Sequence, residues 1–242
     1  MIVNRSAAID PRTAVYSRPI LARLMAPERV RRAIALLPPG SRYQILDVGC
    51  GRHSASLFHT VYPNASYTGM DSDRASVESE IHLMRRFLEV DLETTEFLEL
   101  SNDRFDLIVL SHVLEHLRRD PVSVLQRLVG RLAVNGLLYV AFPNKLSVNF
   151  PHRQGGLNFN DDPTHVTVVD EDRLISELKP RGVEVVYNSV TRRPCYLALM
   201  LVRILFSPIT GGVTGPMLWD LYGFERVVIF RNASKADTSG RC

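Results

Sequence analysis

Four groups of polar residues stand directly after short apolar runs: Asp47-Val48-Gly49-Cys50-Gly51-Arg52-His53-Ser54, Asp71-Ser72, Asp91-Leu92 and Ser111-His112. The glycines of the first group let the backbone turn tightly and approach a ligand, while the helix that follows offers free N–H groups. Asp71 comes about twenty residues after those glycines, where a carboxylate can accept two hydrogen bonds from a ribose diol. A second set of residues could move protons. His112, His116, His152 and His165 are the side chains whose unperturbed pKa suits proton transfer near neutral pH. His112 lies at a strand end inside the expected site, as a catalytic group or as a positioning residue. His116 and Glu115 are read as capping and orienting that turn. His165, in the run NDDPTH, follows the fifth strand and is the candidate base. Asp161 and Asp162 could hold a divalent cation through oxygen ligands. Asn160-Asp161-Asp162-Pro163 is also ordinary turn chemistry, and no metal is expected.

These residues need a scaffold that gathers strand ends. Apolar runs at 43–48, 66–70, 87–90, 105–110 and 136–142 are short, as in strands buried on both faces. Helical patterns at 54–62, 73–86 and 121–132 alternate with them. That alternation predicts a parallel sheet with helices on both faces, joined by right-handed crossovers. Residues 1–40 read as a helical N-terminal extension, with Pro27 at a first helical position and Val30, Ile34 and Leu37 on one face before Pro38-Pro39-Gly40. Residues 144–168 form a long loop, Asp170 caps a helix to 178, and 183–190 and 226–231 read as strands. The segment 191–224 is apolar, Pro- and Gly-rich, and reads as an insertion or lid; the tail 233–242 reads as disordered.

Composition narrows the function classes. The chain has 242 residues, 45% hydrophobic and 23% charged, with a net charge of only +3, all near the averages for globular domains. Its arginine pairs are scattered, so the basic stripe that nucleic-acid binding requires is missing from the pattern. Cys50, Cys195 and Cys242 form neither a disulfide framework nor a paired zinc motif. With no apolar core of a secretory signal at the N-terminus, a cytoplasmic location is the expectation. The stripe of Tyr196, Leu197, Met200, Leu201, Ile204 and Leu205 could cover an acceptor pocket or pair two subunits in a homodimer. Peripheral membrane contact through 195–206 also stays open.

With these residues in place, the chain resembles the class I S-adenosylmethionine-dependent methyltransferases over about residues 41–190. The resemblance rests on ILDVGCG (45–51), YTGMDSD (67–73), FLEVDLE (87–93), FDLIVLSHVLEHLRRDP (105–121) and GLLYVAFPN (136–144). It is similar to the branch of ubiquinone-type and sugar O-methyltransferases. The resemblance implies an α/β fold: a Rossmann-like, doubly wound, mostly parallel sheet of seven strands whose last strand is antiparallel, forming a methyltransferase domain over 41–232. It implies S-adenosyl-L-methionine as cofactor and a small-molecule acceptor, with no nucleic acid. Asp47, Gly49, Cys50 and Gly51 would line its methionine part, Asp71 and Ser72 its ribose, Asp91 and Leu92 its adenine. Ser111 and His112 would sit beside the sulfonium. One departure stands out: where the family usually has a third glycine, this chain has His53, which could crowd the cofactor or point outward. Two other readings compete. A nicotinamide-dependent oxidoreductase wants a glycine where Ser54 stands. A non-catalytic binding or partner subunit could keep the fold while His53 blocks the site.

Overall fold

A computed structural model of the chain describes residues 32–33, 35–37, 42–62, 64–94, 102–152, 157–192, 198, 201–202 and 215–233. The strands are β1 (Gln44–Val48), β2 (Ser66–Asp71), β3 (Arg86–Glu89), β4 (Phe105–Ser111), β5 (Leu132–Pro143), β6 (Val183–Val190) and β7 (Glu225–Asn232). They form one seven-stranded sheet in the order β3-β2-β1-β4-β5-β7-β6. Strands β1 to β5 pair in parallel. Strand β7 inserts antiparallel between β5 and β6. The helices are α1 (Ser54–Val61), α2 (Arg74–Val77), α3 (Pro121–Val129), α4 (Lys145–Val148), α5 (Glu171–Leu178) and α6 (Gly215–Tyr222). Among the described residues, no helix is long and apolar enough to cross a membrane.

Alternate side chains of the central strands feed two cores. Leu46, Val48, Ile108, Leu110, Leu138 and Val140 pack into one. Ile45, Leu107, Val109, Leu137 and Tyr139 enter the other, with Phe58 and Tyr62 of the α1 segment. This two-sided burial is why these strands read as unbroken apolar runs. Local chemistry sets the helix ends. Pro121 opens α3 at a position where its missing N–H costs nothing. Asp170 caps α5 by accepting from the Arg173 N–H at 3.1 Å.

The structure departs from the sequence expectations in four places. The helix expected over 73–86 is α2 followed by a 3-10 turn at Glu78–Leu83. Its end is pulled into the sheet, where the Arg85 N–H donates to the Tyr67 carbonyl at 2.9 Å. The helix expected to 132 stops at Val129, and Leu132 already pairs with Phe105. Strand β5 therefore starts before Gly136, whose position would place a Cβ 2.7 Å from the Phe105 carbonyl oxygen. The loop 144–168 contains α4 and a 3-10 turn at Phe159–Asp161. Ala33 and Leu37 are buried against the second core. Most of the extension 1–40, of the insertion 191–224 and of the tail 233–242 lies outside the described residues, including the dimer or membrane stripe apart from Leu201.

Candidate active site

The order of the strands places a topological switch at β1 and β4, and their C-terminal ends open onto a crevice. A cavity of about 370 Å³ occupies it, within the range of small-molecule and cofactor sites. Its walls come from four successive strand ends: Val48 and Gly49, Met70 to Ser72, Val90 to Glu93, and His112 to Leu117 in part. Gly49, Asp71, Ser72, Asp91, Leu92 and His112 thus line one cavity, and His165 is not among its lining residues. Asp47, Cys50, Gly51 and Ser111 do not line it.

The excluded residues hold the turn from below. Asp47 is buried and accepts hydrogen bonds from the Ser54 hydroxyl and, at 2.9 Å, from the Tyr67 hydroxyl. The Gly51 N–H donates to Asp71 Oδ2 at 2.9 Å, and the Asp73 N–H to Oδ1 at 3.0 Å. Each Asp71 oxygen keeps a second lone pair for a ligand hydroxyl. Gly49 has φ 68°, and a Cβ there would lie 2.4 Å from Val113 Cγ2. The first turn thus sits tightly against the fourth. Cys50 is buried, and burial pushes its thiol up to about 12, with Asp47 and Asp71 acting in the same direction. His53 caps α1 in a left-handed conformation with its side chain 88% exposed, close to Glu80, and it does not line the cavity.

The fourth strand end carries more than the sequence reading recovered. His112 adopts φ 57°. Its Nδ1 meets Glu115 Oε1 at 3.0 Å and its Nε2 meets Glu225 Oε1 at 2.9 Å. Burial opposes a charge on this ring, but hydrogen bonds and charge from the two carboxylates outweigh it and push its pKa up to about 10. In this arrangement His112 is an imidazolium with both nitrogens engaged. Glu225, the first residue of β7, was not legible as a site residue, because Arg226 beside it makes it read as an ordinary polar strand end. Glu93 was also missed. Its carboxylate accepts from the Arg118 and Arg119 N–H groups, at 2.5 and 3.0 Å, and so ties the third strand end to the fourth.

His116 lines the cavity, and His165 packs against it with ring centroids 4.9 Å apart. His165 Nδ1 lies 2.8 Å from the Phe159 carbonyl, which only accepts. Its Nε2 is therefore unprotonated, with a lone pair, when the ring is neutral. Asp161 and Asp162 do turn work. Asp161 closes a capping box with Asn158, and Asp162 accepts from the Thr164 N–H and hydroxyl. His152 pairs with Asp161 at 2.9 Å on the exposed side of that turn.

A family model for the methyltransferase domain matches residues 21–188. No curated protein sequence matches the chain. Among solved structures, a SAM-dependent methyltransferase from Archaeoglobus fulgidus is 17% identical. The match covers 87% of this chain and 93% of that one, with a TM-score of 0.55. The methyltransferase solved in complex with the Trm112 activator of Haloferax volcanii is 14% identical, over 94% and 100% of the two chains, with a TM-score of 0.62. The plantazolicin methyltransferase BpumL, solved with SAH, is 16% identical over 92% and 85%, with a TM-score of 0.55. At such identities these likenesses speak for the shared fold. The family match spans well over half of the chain, which therefore belongs to the S-adenosylmethionine-dependent methyltransferase family.

Proposed function

We propose that this member of the methyltransferase family transfers a methyl group from S-adenosylmethionine to a hydroxyl of a small molecule, such as a sugar or secondary metabolite. The observation that carries the reading is the pairing of the strand-end cavity with His165. The His165 ring, its Nδ1 held by the Phe159 carbonyl, packs against His116, which lines the cavity.

The residues present fit the cofactor. Asp71 offers two free lone pairs at the end of β2, and Gly49 brings backbone to the cavity without a side chain. The carboxylates of Asp71, Asp91 and Glu93 around the rim suit a cationic ligand. The exposed His53 leaves that space clear. When bound, S-adenosylmethionine supplies an electrophilic methyl group on a sulfonium. The protein's share is alignment and water exclusion, with His165 Nε2 taking the proton of the acceptor hydroxyl. His112, held by Glu115 and Glu225, is proposed to fix the turn that carries His116. A buried, reduced Cys50 fits a cytoplasmic setting.

Calorimetric titration of the purified protein with S-adenosylmethionine and S-adenosylhomocysteine, with NAD as control, tests the cofactor assignment. Binding of the first two and not of NAD is expected. A screen of hydroxylated acceptors, beginning with sugars and phenols, follows. Turnover only on amines or thiols would overturn the hydroxyl assignment.

A further inference from the structure

We propose that Glu115, His116 and His165 form a site for a divalent transition-metal ion beside the cofactor cavity, where the ion would bind the acceptor's hydroxyl oxygen. A Glu115 carboxylate oxygen and one ring nitrogen from each histidine lie within 4.8 Å of one another. Each donor is prepared for this use. His165 Nδ1 is held by the Phe159 carbonyl at 2.8 Å. His116 Nδ1 lies 3.2 Å from the Thr164 carbonyl and 3.0 Å from its hydroxyl, which itself donates to Asp162. Carbonyl oxygens accept only, so in the neutral rings both Nδ1 atoms carry the protons and both Nε2 atoms offer lone pairs. Metal-ligating histidines are oriented in this manner, by hydrogen bonds from the nitrogen that does not bind the metal. Asp162 Oδ2, at 3.7 Å from His165 Nε2, is beyond hydrogen-bond distance and does not hold a proton on that nitrogen.

Glu115 gives an independent observation. Its side chain is wholly buried; Oε1 faces His112, and Oε2 has no hydrogen-bond partner. A buried carboxylate oxygen without a donor is costly, and a cation beside it removes that cost. Two imidazoles and one carboxylate favour manganese, iron, cobalt or zinc over magnesium or calcium, which prefer oxygen ligands alone. Three protein ligands leave coordination positions open.

The chemistry deepens the proposed function and rests on it for the identity of the acceptor. With the ion in place, the His165 lone pair is spent on the metal. The ion's charge then lowers the pKa of the hydroxyl it touches, and the proton leaves to solvent. The oxygen forms its bond to the methyl carbon as the carbon–sulfur bond breaks, its electron pair staying on neutral S-adenosylhomocysteine. A hydroxyl with a neighbouring oxygen, as in a sugar or catechol diol, can fill two open positions and is the favoured acceptor class.

The test uses tag-free, chelator-stripped protein titrated with cobalt(II) chloride, followed by its visible d–d absorption. A saturable spectrum at one equivalent is expected, with manganese(II) chloride competing. His116→Ala and His165→Ala should each weaken binding at least about 100-fold, the upper end of what a supporting group alone contributes. Their folds are verified by circular dichroism. Glu115→Gln is a third variant, and the two histidine variants carry the test if it fails to fold. No saturable spectrum, or one unchanged in both histidine variants, would overturn the site. Retained S-adenosylmethionine binding in that case would sink the metal site alone, while loss of cofactor binding in wild-type protein would sink the methyl-transfer reading.

Discussion

His112 sits at φ 57°, in the left-handed region that is uncommon for residues other than glycine and in which Asn, Asp and His are the enriched exceptions. Its two carboxylate partners hold it there, and they raise its pKa from 6.5 to about 10. A group whose folded pKa exceeds its unfolded value contributes stability in full below the unfolded pKa and loses it as pH rises through the folded one. Urea midpoints should therefore fall between about pH 6.5 and 10 in the wild type. The profile of His112→Asn, which keeps a tolerated backbone, should be flatter in that window. Parallel profiles would show that the charge on His112 does not contribute. Asp71→Ala removes a charge-assisted, two-oxygen acceptor and should weaken S-adenosylmethionine binding by roughly 1.5–3 kcal/mol. Calorimetry reads this directly, and unchanged affinity would take Asp71 out of the cofactor site. In metal-free protein, His165→Ala should lower turnover by about 10²–10⁴-fold with cofactor affinity little changed, the range expected for loss of the proposed proton acceptor. Asp71, which lines the cavity, could be named from sequence because it ends a recognisable strand. Glu225 could not, because its contact with His112 joins residues 113 positions apart.

At the scale of elements, the site depends on how closely two turns approach. Gly49, after β1, leaves no room for a methyl group beside Val113, after β4. Gly49→Ala combines a left-handed backbone with that clash, and the backbone part alone costs roughly 1–2 kcal/mol. The variant should lose more than this in urea unfolding. Val113→Ala in the same chain should restore part of the loss by giving space, while the backbone part persists. If the double variant is no more stable than Gly49→Ala, the contact is not the cause. Elements were legible wherever a period was sustained by burial on both faces, as in β1, β4 and the apolar end of β5. They were misread where neighbours decide. The segment after Asp73 has helical spacing, yet Ser56 donates to Glu80 at 2.6 Å and Arg85 is drawn to β2. Those contacts favour a tighter 3-10 turn over a continuous helix. Leu132 read as the end of a helix, and Asn135-Gly136 just after it is a turn signal in sequence. The irregular pairing between Phe105 and Leu107 absorbs that dipeptide within β5 instead.

On the scale of the whole molecule, core and site meet at the strand ends. Ile108 lies in the core within β4, and the cavity lining from that part of the chain begins just past the strand at His112. Val48 and Met70 belong to the core and line the cavity as well. Strand β7 joins the two regions, since Val228 and Phe230 pack in the core and Glu225 reaches His112. The antiparallel β7 therefore brings its N-terminal end, not its C-terminal end, to the same edge as the ends of β1 to β5. This placement explains how a residue near the end of the sequence enters a site built from its first half. It also separates two kinds of loss. Ile108→Ala creates a cavity in the core and should cost about 2–5 kcal/mol in urea unfolding. The folded variant should still bind S-adenosylmethionine with wild-type affinity, and saturating cofactor at about 100 times its dissociation constant should stabilise both proteins by about 2.7 kcal/mol. A binding loss in Ile108→Ala as large as its stability loss would show that strain in the core reaches the strand ends, so that the sheet and the site behave as one unit.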